Sequence, residues 1–272
     1  MIPQYASALL ISDLHLTPSM PLTAQRFFDF CEKEGPKVQA VFILGDLFEY
    51  WVGDDAAAQS PFQQEVRHAL ANLSTKTKTY YVHGNRDFLL GPDYLKKTGM
   101  TLLSERSHVE IAGSIYTLCH GDSLCTADVG YQVFRQWVRK SWVQNVFLRL
   151  PLNWRRSIAN QLRNKSQTQY QSSSKNAANP KMDVSLDACA AILGTESNGR
   201  LIHGHTHLPA HHNEHFREQH WQRWVLSDWD IDHPESVKPR ASALMIDGKG
   251  VKYLDLIQNW SDHLYLLNRQ NT

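Results

Sequence analysis

Long apolar runs are missing from this sequence of 272 residues. No stretch of 18 or more apolar residues occurs in it, which excludes a candidate for a membrane-spanning helix. No basic cluster precedes the short apolar run near the first residue, and we therefore expect no signal peptide. The apolar content of 42% and the charged content of 20% are close to those of soluble globular proteins. The length suits one domain with one insertion.

Cysteine is scarce, and acidic residues are missing from one long segment. The four cysteines are scattered, which excludes a disulfide framework and a zinc site built from closely spaced pairs. We expect reduced, buried thiols. Between Val129 and Lys181 the sequence has no Asp or Glu, yet ten basic residues occur there among seven aromatic residues. The uneven distribution of charge is therefore more informative than the net charge of +1.

This acid-free segment predicts basic amphipathic helices. Until Pro151 interrupts the pattern, apolar residues repeat at helical spacing, and these are Phe134, Val138, Trp142, Val146 and Leu150. The polar stretch 164–180 is expected to join the helices back to the core. We predict a core formed by 1–125 and 184–257, a helical insertion over it at 126–183, and a tail at 258–272.

The core itself has the pattern of an α/β fold. In the first half, short apolar runs alternate with amphipathic stretches, which favours a largely parallel sheet with crossover helices. Hairpins are predicted around 112–114 and 247–248, so the second half is expected to be more antiparallel. The predicted strands are Ala8–Ser12, Val38–Leu44 and Lys78–Val82, and the predicted helices are Thr23–Glu34, with Thr23 as its cap, and Pro61–Leu73.

Five short motifs contain candidate metal ligands, and four of them follow a predicted strand directly. Ligand sites of open α/β sheets form at the carboxyl ends of strands. Each motif offers oxygen or imidazole ligands, and the glycine beside most of them allows a sharp turn. The motifs are Asp13-Leu14-His15, Gly45-Asp46, Gly84-Asn85-Arg86-Asp87, Cys119-His120-Gly121-Asp122 and His203-Gly204-His205-Thr206-His207. Each motif alone is weak, but their combined order is specific.

In this order the motifs resemble those of the calcineurin-like metallophosphoesterases. The resemblance implies an α/β fold in which mixed sheets form an αββα sandwich. It also implies two divalent cations, about 3.5–4 Å apart, with a nucleophilic hydroxide between them held at Asp46. The implied ligands are Asp13, His15 and His207 for one cation, Asn85, His120 and His205 for the other, and Asp46 as the bridge. Such oxygen and nitrogen ligands suit Mn, Fe, Co or Zn better than calcium.

Other polar residues lie near these motifs in sequence. We expect Asp122 and His203 to orient the ligating groups. Histidines that match no motif are expected on the surface or in packing, and these are His108, His211, His212, His215 and His220.

A narrower resemblance extends from about residue 8 to about residue 255. The strings GDLFEYWVGDD, HGNRDFLLG, GMTLL, CHGDSLCTADVGYQVFR and LIHGHTHLPA look like those of the UDP-2,3-diacylglucosamine diphosphatases of lipid A synthesis. This implies water attack on the α-phosphorus, releasing UMP and 2,3-diacylglucosamine 1-phosphate (lipid X), with manganese as the usual metal. It also implies a cytoplasmic protein, peripheral on the inner membrane.

The same resemblance implies a set of substrate contacts. These are Asn85, Arg86, Asp128, Ser166, Lys175 and His205. The stretch from Ser166 to Met182 is slightly longer than in the family, so Tyr170 and either Ser173 or Lys175 are expected at the later positions. Arg86 is expected to stabilise phosphate oxygens as charge develops. The insertion would face the acyl chains and an anionic leaflet.

Two other functions fit parts of the sequence. Another two-metal phosphodiesterase or nuclease of the same fold would use the basic segment to grip nucleic acid. The segment is so apolar between its charges that we expect a diacylated UDP-sugar and no nucleic acid. A non-catalytic binding module would tolerate lost ligands, yet every ligand position is filled. A basic helix of this kind also suits a protein partner, and that alternative stays open.

Overall fold

A computed structural model describes residues 2–173, 183–194, 198–233 and 238–258, without the side chains of 164–173. Its strands are β1 (Gln4–Tyr5), β2 (Ala8–Ile11), β3 (Ala40–Leu44), β4 (Lys78–Val82), β5 (Thr101–Leu102), β6 (Ser107–Ile111), β7 (Ser114–Leu118), β8 (Gly199–His203), β9 (Ala210–Phe216), β10 (Gln219–Val225), β11 (Ser242–Asp247) and β12 (Gly250–Asp255). Its α-helices are α1 (Pro21–Asp29), α2 (Asp54–Ala57), α3 (Pro61–Lys76), α4 (Pro92–Thr98), α5 (Val129–Val138), α6 (Ser141–Leu148), α7 (Leu152–Ser173) and α8 (Leu186–Leu193).

The strands form two mixed sheets of six strands each. Their orders are β12-β11-β2-β3-β4-β5 and β1-β6-β7-β8-β10-β9. In the first sheet β2, β3 and β4 are parallel, as the alternation of strands and helices predicts. The two predicted hairpins are confirmed as the antiparallel pairs β6–β7 and β11–β12. The later half of the chain also contributes the antiparallel pair β9–β10.

Three apolar layers hold the sheets and helices together. Alternate residues of β2 and β3 point to opposite faces of their sheet. Leu10 and Phe42 join the cluster between the two sheets, whereas Leu9 and Val41 join the cluster beneath α1 and α3. Because both faces are covered, these strands are apolar at every position. With α8 packed on the outer face of the second sheet, the predicted αββα sandwich is confirmed.

The first predicted helix differs from the structure at both ends. The α-helix begins at Pro21 and ends at Asp29, and a π-helical turn covers 30–34. Thr23 was predicted as the cap, and this is wrong: its hydroxyl donates to the Asp232 carboxylate at 2.7 Å. The same carboxylate accepts from the backbone N–H groups of Leu22 and Thr23. A residue some two hundred positions away in the sequence therefore caps this helix.

The predicted helical insertion contains α5, α6 and α7. The apolar repeat does not lie on one helix, because residues 139–140 separate α5 from α6. The prediction that the polar stretch 164–180 only connects the helices to the core is partly wrong, because α7 continues into this stretch and ends at Ser173. No residue of α5 or α6 is buried. Among the described side chains of the three helices, the exposed large apolar ones are Val129, Val133, Phe134, Trp137, Trp142, Val146, Leu148, Trp154, Ile158 and Leu162.

The cysteines and the helices agree with what the sequence predicts. All four cysteines are buried and lie outside any disulfide. Among the described residues, no helix combines the length and the apolar character needed to cross a membrane.

Candidate metal centre

All five motifs lie at the carboxyl ends of strands. They follow β2, β3 and β4 in one sheet and β7 and β8 in the other. The strands preceding them are parallel within each sheet. The motifs therefore meet at one end of the sandwich, as expected for a ligand site of an α/β fold.

Five candidate ligands adopt the left-handed backbone conformation. In the described chain eight residues other than glycine have positive φ, and five of them belong to the predicted ligand set. These five are Asp13 (55°), His15 (48°), Asp46 (51°), His205 (67°) and His207 (57°). Each such residue costs on the order of 1–3 kcal/mol, so strain of this kind collects where function requires a fixed geometry. This concentration is independent support for the candidate site.

Backbone hydrogen bonds hold the first two loops against each other. The N–H of Asp13 donates to the carbonyl of Gly45 at 3.1 Å, and that of His15 donates to the carbonyl of Asp46 at 3.0 Å. A further bond from Leu16 to Leu47, at 2.9 Å, continues this pairing. The loop that carries two ligands is therefore aligned with the loop that carries Asp46.

The carboxylate of Asp87 holds the second and third loops together. It is fully buried and accepts from the backbone N–H groups of Asp46, Leu47, Phe48 and Gly84 at 2.7–3.3 Å. Four charge-assisted hydrogen bonds offset the cost of burying this charge. The sequence placed Asp87 within a motif but gave it no role; it is a structural anchor for Asp46.

The first group of candidate ligands is Asp13, His15 and His207. The Nε2 atoms of His15 and His207 are 3.4 Å apart, and His207 Nε2 lies 3.4 Å from Asp13 Oδ1. Asp13 Oδ1 is buried and accepts no hydrogen bond, whereas its Oδ2 accepts from Ser12 and from the N–H of His205. A buried carboxylate oxygen without a donor is costly. The group therefore fits a cation at Oδ1.

The second group surrounds Asn85. Its Oδ1 lies 2.9 Å from His120 Nε2 and 3.0 Å from His205 Nδ1. His120 Nε2 is also 3.7 Å from Asp46 Oδ1. Because the carbonyl of Leu44 can only accept, His120 donates to it through Nδ1 at 2.8 Å. Nε2 is then the atom available to a cation, and oxygen and nitrogen ligands converge around it.

The Asp46 and Asp13 carboxylates link the two groups. One atom each from Asp13, Asp46 and His120 lies within 4.8 Å of the other two. Burial raises the pKa of Asp46 to about 7, aided by the nearby Asp87 and Asp13 carboxylates. Although burial opposes it, His207 holds the pKa of Asp13 well below its usual range. Two carboxylates between two histidine groups can hold two cations that share a ligand.

The candidate histidines divide into two classes by their electrostatic surroundings. Burial lowers the pKa of His205 to about 4, and burial together with Arg86 lowers that of His15. Burial also acts on His120 and His207, but nearby carboxylates outweigh it: Asp46 raises the pKa of His120 to about 9, and Asp13 raises that of His207. Without cations, the nearby carboxylates therefore favour the protonated forms of His120 and His207, and a cation that binds to these rings would displace their protons.

Two acidic residues outside the predicted ligand set approach the far side of ligand rings. Asp228 Oδ2 lies 3.4 Å from His207 Nδ1, and Glu49 Oε2 lies 3.5 Å from His15 Nδ1. In both rings the opposite nitrogen, Nε2, faces the centre. Such outer carboxylates fix the orientation of metal-binding imidazoles. No motif pointed to Asp228, whereas Glu49 lies in the string that follows Asp46.

The structure places the predicted substrate contacts as follows. Arg86 donates from its backbone to Asp46 Oδ1 at 2.8 Å and from Nη1 to Glu49 Oε1 at 3.1 Å, so its side chain lies at the centre. Asp128 caps α5, since its Oδ1 accepts from the N–H of Tyr131 at 3.0 Å. The side chains of Ser166 and Tyr170, and the whole of Lys175, lie outside the described residues. Ser173 ends α7, and its side chain is likewise not described.

Asp122 was expected to orient a ligating group, but the hydrogen bonds of its side chain go to residues of α5. Its buried carboxylate accepts from Tyr131 at 2.6 Å and from Arg135 at 2.7 Å, both on α5. Arg139, one turn further, donates to the carbonyl of Gly84 at 2.7 Å. Asp122 therefore anchors the insertion beside the centre. His203 contacts the Gly204 carbonyl and Arg223, and burial lowers its pKa to about 3.

Three unmatched histidines lie in packing contacts. The ring of His211 stacks on Trp224 at 4.6 Å, and His215 lies 4.3 Å from His220 between ring centroids. His211 and His215 are also exposed, so these residues agree with the expectation of surface or packing positions.

Comparison with known proteins gives consistent results. Residues 7–232 match the family of calcineurin-like phosphoesterases. A UDP-2,3-diacylglucosamine hydrolase of Ralstonia nicotianae is 44% identical over 87% of this chain and 87% of its own length. Proteins of the same name from Ectopseudomonas mendocina and Haemophilus ducreyi are each 40% identical, over 89% and 90% of this chain and 95% and 97% of their own lengths.

Proposed function

Because this chain belongs to the calcineurin-like phosphoesterase family, as a hydrolase close to the UDP-2,3-diacylglucosamine hydrolases, we propose that it cleaves UDP-2,3-diacylglucosamine to UMP and 2,3-diacylglucosamine 1-phosphate. The observation that carries the proposal is the convergence of two oxygen and nitrogen ligand groups at Asp13 and Asp46. Asp13 Oδ1, which is buried and accepts no hydrogen bond, supports cation binding at this position. The substrate is inferred from the names of the relatives.

The proposed cation ligands are those predicted from the motifs. They are Asp13, His15 and His207 at one position, Asn85, His120 and His205 at the other, and Asp46 between them. When bound, two divalent cations supply an activated water and neutralise phosphate oxygens. Carboxylate, amide and imidazole ligands without a thiolate suit Mn, Fe, Co or Zn, and among these we propose Mn²⁺ because the family resemblance implies manganese.

The chain's own groups orient the diphosphate. The Arg86 guanidinium lies beside His15, through their shared partner Glu49. From there it can donate to phosphate oxygens as negative charge develops. Asn85 and His205 lie at the other cation position and are proposed to contact the same phosphate. Asp87 accepts from the N–H groups of Asp46, its two successors and Gly84, and these bonds hold Asp46 in place beside the proposed cation positions.

The proposed chemistry balances at the α-phosphorus. The oxygen of water forms a bond to this phosphorus, and the bond from it to the bridging oxygen breaks. The bridging oxygen leaves with the diacylated sugar phosphate, and the water oxygen stays in UMP.

Hydrolysis in ¹⁸O-labelled water is therefore expected to label UMP and not the lipid product. The measurement is mass spectrometry of both products, with release of UMP followed in the presence of Mn²⁺ and after its removal by a chelator. Label found only in the sugar phosphate would mean attack on the β-phosphorus. Hydrolysis of a small phosphodiester or DNA, without release of UMP, would instead favour another phosphoesterase of the same fold.

We also propose that the insertion receives the acyl chains and contacts an anionic membrane surface. Ten large apolar side chains of α5, α6 and α7 are exposed, including Trp137, Trp142 and Trp154 at 52–64%. An exposed apolar area of this kind needs a partner. The basic residues between them suit anionic headgroups, at about 1 kcal/mol per residue near the surface. This placement supports a peripheral protein on the cytoplasmic face of the inner membrane.

Trp142→Ser and Arg149→Glu are expected to weaken hydrolysis of the diacylated substrate much more than hydrolysis of bis-p-nitrophenyl phosphate. Trp142 is exposed and lies in α6, so its loss should not disturb the core. Binding of the wild type to anionic vesicles should fall steeply with salt. Ile115→Ser is the matched control, because Ile115 is an exposed apolar residue on β7, outside the insertion. If both variants lose activity equally on the two substrates, and the wild type does not bind vesicles at low salt, the helices of the insertion have only a structural packing role.

A further inference from the structure

Glu49 lies where three elements of the candidate site meet. The loop from Asp13 to Leu16 runs beside the loop from Asp46 to Glu49, and the N–H of Glu49 donates to the carbonyl of Leu16 at 3.3 Å. This pairing brings the Glu49 side chain next to His15. The side chain is only 12% exposed, so its charge needs partners.

One oxygen of Glu49 is shared by two arginines. Oε1 accepts from Arg86 Nη1 at 3.1 Å. Arg163 Nε of α7 lies 2.9 Å from the same oxygen, as an ion pair without the alignment of a hydrogen bond. One arginine comes from the core loop that carries Asn85, and the other comes from the predicted insertion. Glu49 therefore connects the insertion to the core loops directly beside the ligands.

The other oxygen of Glu49 approaches a candidate ligand. Oε2 lies 3.5 Å from His15 Nδ1, while Nε2 of the same ring faces His207 at 3.4 Å. This contact is an ion-pair distance without a hydrogen bond, since His15 Nδ1 has no hydrogen-bond partner among the described residues. A carboxylate on the far side of an imidazole ligand can still favour one orientation of the ring through its charge. Glu49 thus contacts both a cation ligand and the arginine proposed to bind phosphate.

We propose that Glu49 is a positioning residue, which holds Arg86 and Arg163 on one side of the metal centre and orients His15. Arg86 and Arg163 would repel each other without the carboxylate between them. With it, both guanidinium groups retain N–H donors for the oxygens of a diphosphate. The inference rests on the proposed function, because the diphosphate substrate gives the paired arginines their role.

A second ion pair in the same region provides a matched control. Arg155, about two turns before Arg163 on α7, pairs with Asp55 and donates to the carbonyl of Val52. It thereby joins α7 to the loop after β3 and to α2, but Asp55 is 59% exposed and lies outside the candidate ligand groups. Asp55→Asn therefore weakens the attachment of α7 without changing the centre.

The test compares Glu49→Gln with Asp55→Asn in the full-length protein. Glu49→Gln should lower kcat/KM on UDP-2,3-diacylglucosamine about 10–100-fold and raise the Mn²⁺ concentration needed for half-maximal activity. Asp55→Asn should leave both quantities within about twofold. Arg163→Gln should lower kcat/KM in the wild type but much less in the Glu49→Gln background, because its partner is already lost. Thermal unfolding checks that each variant is folded.

The outcomes separate this inference from the proposed function. If the wild type hydrolyses bis-p-nitrophenyl phosphate but not UDP-2,3-diacylglucosamine, the proposed function fails, and the Mn²⁺ dependence of diester hydrolysis still tests Glu49. If the wild type uses the diphosphate substrate, two results would overturn the positioning role. One is an equal loss of kcat/KM in Glu49→Gln and Asp55→Asn. The other is a double variant in which the separate losses of kcat/KM from Glu49→Gln and Arg163→Gln multiply.

Discussion

Asp46→Ala is expected to reduce turnover by at least about 10³-fold, since losing a single oxyanion donor already costs about 10²–10³-fold in other enzymes. Asp46 is the proposed shared ligand of the two cation positions, and one of its carboxylate oxygens lies within 4.8 Å of ligand atoms of Asp13 and His120. Its removal therefore weakens both positions at once and takes away the group beside which water is activated. The measurements are kcat on UDP-2,3-diacylglucosamine and the metal content per chain.

The same variant should still fold without metal. Burial disfavours the charged form of Asp46 and raises its pKa to about 7, so its replacement removes an unfavourable buried charge from the metal-free protein. Mn²⁺ should raise the Tm of the wild type, and most of this rise should be absent from the variant. Asp46→Asn is the matched comparison, because it keeps an oxygen for the N–H of Arg86 while removing the charge. Activity like that of the wild type in folded Asp46→Ala would contradict the two-cation proposal.

The strands, the hairpins and the motifs at strand ends were predictable from the sequence, because each depends on a pattern of neighbouring residues. Strands β2 and β3 are buried at every position and β4 is buried at its carboxyl end, so their apolar runs stand out against the flanking turns. The hairpin at 112–114 has positive φ at Ala112 and Gly113, as a tight turn between antiparallel strands requires. The motifs lie at strand ends, where the topology of parallel strands brings them together.

Contacts between residues distant in sequence were not predictable in this way. Asp232 caps α1, and no local pattern relates it to Pro21. The carboxylate behind His207 comes from Asp228, after β10, and no ligand motif includes it. Arg163 reaches Glu49 only because α7 folds back over the core. Such partners depend on the packing of whole elements, about which periodicity says nothing.

The insertion shows a different limit of sequence patterns. A repeat of four residues runs through Phe134, Trp142 and Leu150, and it predicts helix without showing where one helix ends. In the structure one helix ends at Val138 and a new helix begins at Ser141. Similarly, the polar residues after Arg163 lack an apolar face, yet α7 extends to Ser173. Helices without a buried face leave little trace in hydrophobic periodicity.

Gly84 leaves the space into which the Asp46 carboxylate fits. A Cβ at this position would collide with Asp46 Oδ1 and with the Asp46 backbone nitrogen, and it would lie 2.9 Å from Asp46 Cγ. The loop cannot easily retreat, because Gly84 donates to Asp87 at 3.1 Å and accepts from Arg139 at 2.7 Å. The φ of Gly84 is outside the left-handed region, so alanine would act through space and not through backbone strain.

Gly84→Ala is therefore expected to lower kcat/KM by at least about 10²-fold, since a displacement of about 1 Å in a catalytic group has this effect. Overpacking should also cost about 1–3 kcal/mol of the free energy of unfolding. Gly130→Ala is the matched control, because its Cβ would meet Asp128 Oδ1 only at 3.7 Å and α5 favours alanine. The control should keep its activity and an equal or higher Tm. If Gly84→Ala binds metal and turns over substrate as well as Gly130→Ala does, the position of Asp46 is not the constraint that this geometry implies.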